Sequence, residues 1–360
     1  MPIEQPIREI SKVGNVTFYF IGRPENLLSP LAEFAACLPN VLDVFAPSIK
    51  EILDSNHFAI CLVDFNMINA LCDKHNKIIY LTTGCMEFFW LSIFSNISLE
   101  LKAKEARSTG NEDDEFKRHD FIVPSDVIAA NQRCKALYSG NISPWPLEIP
   151  RPDPNYDLSD ESNASFASEM IQYALGFFIL HELGHWVVWS TGKESKDPIT
   201  KERQCDAFAV KSYLNRDWFN QGLPGDRGNA FKKKMLALLE CGAMLTFLDQ
   251  LRSAGNTTHP DGIDRLKAMF DEENTGEANI FDFENEENYK PNDPDFDIRP
   301  SVGYAADMLY FYLQNVVEPP TEQLRERCNE ILHSKYESPK ELFETLSIYF
   351  KELELVKRRN

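Results

Sequence analysis

The sequence predicts an α+β fold: a small antiparallel sheet packed on a long buried helix, with further helices towards the C-terminus. Three observations predict it. Short β-branched and aromatic runs, the mark of strands, crowd the chain before residue 83. A single run, Ala164–Trp189, is apolar on nearly every helical face and so belongs in a core. Beyond it, apolar residues recur mainly at helical spacing.

Taken in order, Val16–Ile21 reads as a strand closed by Gly22-Arg23-Pro24. Residues 27–54 read as mostly helical, broken near Pro39-Asn40 and Pro47. His57–Asp64, Met67–Cys72 and Lys77–Thr82 are further strands. The polar turn Asp73–Asn76 joins the last two into an antiparallel hairpin. A short apolar helix follows, from Met86 to about Phe94. Residues 99–118 are charged and predict an exposed, mobile insertion. Five prolines between Pro144 and Pro154 predict an extended surface segment leading into the long helix. Gly176 and Gly184 interrupt that helix, each at a cost of about 1 kcal/mol against Ala, which predicts close approach by another backbone.

After Trp189 comes a polar loop with Gly192. Asp197 as N-cap and Pro198 at the first helical position start a helix over Ile199 to about Leu214. Phe231–Leu251 reads as another helix. The organisation expected is a domain over 1–270, an acidic loop or linker over 271–300, and a helical C-terminal region over 301–360.

Composition narrows the function. The chain has 360 residues, 43% of them hydrophobic, enough for a substantial core. A net charge of −19 argues against nucleic acid or an anionic membrane as the main partner. Eight scattered cysteines contain no Cys-x-x-Cys pair and read as reduced thiols of a cytoplasmic protein. The N-terminus shows no signal-peptide core, and no run approaches the ~20 apolar residues of a membrane span.

The long run ends in His181-Glu182-Leu183-Gly184-His185. Burying three ionisable groups in so apolar a helix costs several kcal/mol unless they have partners. The histidines are four residues apart, so both imidazoles leave one helical face and can share one metal ion. Glu182 lies about 100° round the helix, beside the ion. Catalytic zinc requires a third protein ligand and an open position. A third His six residues on is ruled out, because that position is Thr191. Glu202, on the next helix, is the expected third ligand, with Asp206 one turn beyond it to accept the outer N–H of a ligating His. The chemistry implied is hydrolysis, with Glu182 as general base and then acid. The strand Ile78–Thr82 is expected to pair an edge with an extended peptide, Leu81 and Thr82 supplying backbone hydrogen bonds.

These residues resemble the gluzincin metallopeptidases, which implies a zincin-like fold and one Zn2+ per chain. Asn69-Ala70 and Ile78–Gly84 are similar to the hairpin preceding the active-site helix in HtpX-like and CaaX-type zinc endopeptidases. His259-Pro260 followed by Arg265 looks like the His-Pro-x-x-x-x-Arg element of those families. The resemblance implies that His259 donates to the oxyanion. It leaves Arg265 either to position a loop or a substrate carboxylate, or to make a structural salt bridge. The Pro-rich lead-in and acidic character most resemble the Lit-type phage-exclusion peptidases of bacteria. Those are cytosolic proteases that cleave elongation factor Tu during infection, so the resemblance implies a specific protein substrate and a phage-defence role. Two alternatives remain: a zincin-fold binding or regulatory protein without proteolysis, and a metal-dependent hydrolase of a small amide.

Overall fold

The computed structural model describes residues 7–22, 31–109, 124–139, 145–153, 155 and 162–214, with scattered positions within 233–265 and 322–348. Two compact units divide the chain: residues 1–41, 57–71 and 78–172 form one, and residues 42–56, 72–77 and 173–360 the other. The expected acidic segment 271–300 lies outside the described residues, as do almost all of 301–360.

The sheet has five strands: β1 (Ile7–Val13), β2 (Val16–Ile21), β3 (Ala59–Val63), β4 (Ala70–Asp73) and β5 (Ile78–Thr82), in the order β1-β2-β3-β5-β4. It is mixed, which corrects the expected antiparallel sheet: β1 runs antiparallel to β2, but β2–β3 and β3–β5 are parallel. The physical reason is the connection. Between β2 and β3 the chain passes through α1 (Leu31–Cys37), a 3-10 segment (Leu38–Val44) and α2 (Pro47–Ser55). A crossover of that length returns the chain to its starting side, and the next strand pairs parallel. Alternation along β2 buries Val16, Phe18 and Phe20, and Ile60, Leu62, Ile79 and Leu81 complete a fully buried sheet core.

Because β5 lies between β3 and β4, Ile78–Thr82 is an interior strand. Thr82 N already donates to Asn69 O at 3.1 Å. Leu81 and Thr82 are therefore not placed to lend backbone hydrogen bonds to a peptide, which corrects that expectation. Their neighbourhood explains the Thr-Thr-Gly sequence differently. The Thr82 hydroxyl joins Asn69 N and O (3.1 and 3.0 Å), and the Thr83 hydroxyl joins Phe65 N and O (both 3.1 Å), pinning the β3–β4 connection. A side chain at Gly84 would sit 2.7 Å from the backbone of Asn66, so only glycine lets that connection pass.

Helix α3 (Thr83–Thr109) is far longer than the expected Met86–Phe94 and takes in the first half of the expected insertion; residues 110–118 lie outside the described residues. Leu-Glu-Leu-Lys-Ala-Lys-Glu-Ala-Arg at 99–107 is made of strong helix formers, so charge there did not mean a loop. Against α3 packs α4 (Ser125–Tyr138), and the buried Glu87 of α3 accepts from Arg133 of α4 at 2.7 and 3.1 Å. In the Pro-rich stretch Leu147 is exposed, but Ile149 is buried and Trp90 Nε1 donates to Pro150 O, so the segment is anchored to its unit.

Helix α5 (Asn163–Ser190) is the long apolar run, and α6 (Pro198–Tyr213) follows it. No helix among the described residues is long and apolar enough to cross a membrane. The described positions within 233–248 are helical, where Phe231–Leu251 was expected to be. The seven described cysteines are all free and buried.

Candidate metal centre

The geometry of the site begins with how α5 stops. Gly192 takes φ +69°, Gly192 N donates to Trp189 O and Lys193 N to Val188 O. This paired arrangement ends a helix by using a left-handed residue that glycine adopts without strain. The chain then reverses over few residues, and Gln204 clips it to α6: Nε2 donates to Lys193 O, and Oε1 accepts from Ser195 N. Helix α6 starts where the sequence placed it. The Asp197 carboxylate accepts from Thr200 N at 2.8 Å, and Pro198 opens the first turn.

The two helices come very close at Gly184. A Cβ there would meet Cys205 Cα at 3.1 Å and Cys205 O at 3.2 Å, as the expectation of a backbone neighbour required. At Gly176 the close neighbour is instead a side chain, Val44. The approach at Gly184 brings three α6 residues of one face, Glu202, Cys205 and Asp206, against the histidines of α5.

His181, His185 and Glu202 form a group that could hold a metal ion, with one ligand atom from each lying within 4.8 Å of the others. His181 Nε2 is 3.3 Å from Glu202 Oε2, and His185 Nε2 is 3.6 Å from Glu202 Oε1. His181, Glu182 and Glu202 are buried and His185 nearly so.

Behind this group stands a second layer of charge. His181 Nδ1 is 2.8 Å from Asp206 Oδ1. Arg265 grips the same carboxylate from the other side, Nε donating to Oδ2 at 2.9 Å and Nη2 to Oδ1 at 2.7 Å. Of the readings open for Arg265, the structure selects the salt bridge: the guanidinium is buried and turned on Asp206, so a substrate-binding role is corrected. His259 lies outside the described residues.

Electrostatics follow from these contacts. Burial alone would raise the Asp206 pKa, but Arg265 and His181 pull it down to about 2. Burial would lower His181, but the charge and hydrogen bond of Asp206, with Glu202, raise it to about 9. Burial and the charge of His181 push His185 down to about 4, despite Glu202. At neutral pH His181 is therefore the imidazole favoured to carry an extra proton, and His185 stays neutral. Burial, then the carboxylate of Glu182, pushes the Cys72 thiol up to about 12.

Sequence reasoning missed Cys205, whose Sγ lies 3.2 Å from His185 Nδ1. Its position three residues after Glu202, on the face already assigned to the site, was the available signal.

A sequence profile described as Peptidase U49 matches residues 79–283, which include both helices of the site and Arg265. The "Cell death peptidase" of Escherichia coli (strain K12) is 26% identical over 172 residues, 46% of this chain and 56% of that protein. The chain thus spans little more than half the length of that curated relative. No solved structure matches it. These matches bear out the resemblance of the sequence to the Lit-type peptidases. Matched over more than half its length, through the stretch that carries the buried histidines and their carboxylates, the chain belongs to the Peptidase U49 family.

Proposed function

We propose that the chain is a zinc-dependent endopeptidase of the gluzincin type, with a zincin-like fold. It would hold one Zn2+ through His181, His185 and Glu202. The observation that carries this reading is the buried donor cluster itself. Donors about 2.0–2.1 Å from a tetrahedral zinc ion stand about 3.3 Å apart, and Glu202 stands 3.3 and 3.6 Å from the two imidazoles. Two neutral imidazoles and a carboxylate are the ligand set of a catalytic site with its fourth position open.

Bound zinc supplies a Lewis acid that polarises a carbonyl and acidifies water. The protein's own residues do the rest. Asp206 holds His181 with its proton on Nδ1 and its Nε2 turned towards Glu202. The carboxylate of Glu182 takes a proton from the attacking water and later delivers it to the leaving amine. His259 is kept in the proposal as donor to the tetrahedral oxyanion. The substrate is a protein, and the resemblance to Lit-type peptidases makes elongation factor Tu the first to assay. Action in the bacterial cytoplasm, as a phage-defence effector, completes the reading.

The test compares wild type with Glu182→Gln in a bacterial lysate, with and without phage infection, reading new N-termini by mass spectrometry and zinc content by elemental analysis. The expected result is one zinc per chain in both proteins and one dominant cut made by wild type alone. Identical N-termini under both conditions, with zinc present in both, would remove the peptidase assignment.

A further inference from the structure

We propose that Cys205 is the positioning residue of His185: its sulfur accepts the Nδ1–H of that imidazole, leaving Nε2 bare on the side of Glu202. The proposal rests on the metal-centre reading and adds a residue to it.

The geometry carries the inference. Cys205 Sγ is 3.2 Å from His185 Nδ1, and the thiol has no exposed surface. His185 Nε2 is the nitrogen nearer Glu202, at 3.6 Å. A ring with one nitrogen towards a metal carries its proton on the other, and that N–H needs an acceptor. For His181 the acceptor is Asp206 of α6, 2.8 Å away. For His185 the group at the equivalent place is Cys205, one residue earlier. Glu202, Cys205 and Asp206 fall at i, i+3 and i+4, so a single face of α6 carries a ligand and an outer partner for each histidine.

The packing places Cys205 where the two helices meet. At Gly184 the two helices are already separated by little more than van der Waals contact, and the contact point is Cys205 itself. From its one-carbon stem the sulfur stands 3.2 Å from the imidazole. The two histidines are thereby supported unequally: His181 by a carboxylate clamped by Arg265, His185 by a neutral, weaker acceptor.

The test uses the full chain with ring-labelled histidine. Long-range 1H–15N spectra of metal-free protein at neutral pH read the tautomer of His185 directly. Zinc affinity is measured by chelator competition on wild type, Cys205→Ser and Cys205→Ala. The expected result is the Nδ1–H tautomer in wild type and in Cys205→Ser, and a mixture in Cys205→Ala. Zinc binding should weaken about tenfold in Cys205→Ala and stay within about threefold of wild type in Cys205→Ser, where a hydroxyl still accepts. An Nε2–H tautomer in wild type would overturn the proposal, and that reading needs no variant to fold. Equal weakening in Ser and Ala variants would also overturn it, since sulfur would then be filling space. The expected tautomers with no zinc bound by any of the three proteins would support the Cys205 contact and sink the metal-centre reading instead.

Discussion

Replacing Arg265 with Met should cost about 3–5 kcal/mol of folding stability, the range for breaking a buried ion pair from one side. Asp206 is 4% exposed and Arg265 8%, so water cannot take over the lost contacts. Two hydrogen bonds to the carboxylate disappear, at 2.9 and 2.7 Å. What remains for Asp206 among the described contacts is His181 at 2.8 Å. Without the guanidinium, burial acts with less opposition and the Asp206 carboxyl titrates above its present value of about 2. In a domain of this size the loss should appear as a fall of roughly 6–20 °C in Tm. The double variant Arg265→Met with Asp206→Leu separates electrostatics from packing. Removing both charges should recover most of the stability, because an apolar pair of similar volume replaces a buried ion pair at little cost. Metal affinity should nevertheless stay about 10–100-fold down, because His181 has lost its outer acceptor. Thermal unfolding and chelator competition on the three proteins decide the matter. A single variant as stable as wild type would refute the buried-pair reasoning. A double variant with full metal affinity would refute the role given to Asp206.

Two further outcomes follow from the same site. His181 is raised from 6.5 to about 9, so in metal-free protein its contribution to stability is complete below pH 6.5 and is lost as pH rises through about 9. Zinc must displace that proton. Binding at pH 7.5 should release about one proton per ion, and affinity should climb roughly tenfold per pH unit until about pH 9; calorimetry in buffers of different ionisation heat that shows no proton release would refute this. Gly184→Val places a branched side chain where even a Cβ would lie 3.1 Å from Cys205 Cα. It should destabilise by about 1–3 kcal/mol through overpacking and lower zinc occupancy by moving α6 off α5, and an unchanged denaturation midpoint would show that Gly184 does not set the helix spacing.

The sequence was most legible where local chemistry decides structure. Asp197-Pro198 named the start of α6 because an N-cap and a first-turn proline need no distant partner. The bounds of β2 were readable because Val16–Ile21 is β-branched and aromatic throughout. Strand β1 escaped notice because Ile7–Val13 carries Arg8, Glu9, Ser11 and Lys12 and is exposed at the sheet margin, where charge protects a free edge rather than forbidding a strand. Parallel pairing was hidden too, since it depends on where a crossover returns and not on any run of residues. Helix α4 was passed over for another reason. Its buried set includes Arg133, and a buried arginine looks like a surface residue until Glu87 is seen beside it. In the site, the grouping of His181, His185 and Glu202 was legible from spacing, but the thiol behind His185 and the direction of Arg265 required the helices to be packed.

The long helix raised a question of charge that the packed site answers. Glu182, Glu202 and Asp206 are three buried carboxylates gathered by two helices, and Arg265 is committed to Asp206. Positive charge entering such a cluster would offset part of the cost of burying it. His181 can supply one unit by keeping a proton at neutral pH, and its two carboxylate neighbours hold that proton up to about pH 9. A divalent ion between the two imidazoles and Glu202 can supply two units, and in doing so it must expel the proton. On the proposed reading, the electrostatics that suit a proton on His181 also suit a metal ion there, and they couple its occupancy to pH. Glu182 stands apart from that exchange. It is one residue from His181, buried, and outside the donor group formed by His181, His185 and Glu202. On the proposed reading, Glu182 is the carboxylate that a hydrolytic site needs as its base and that a purely structural metal site does not.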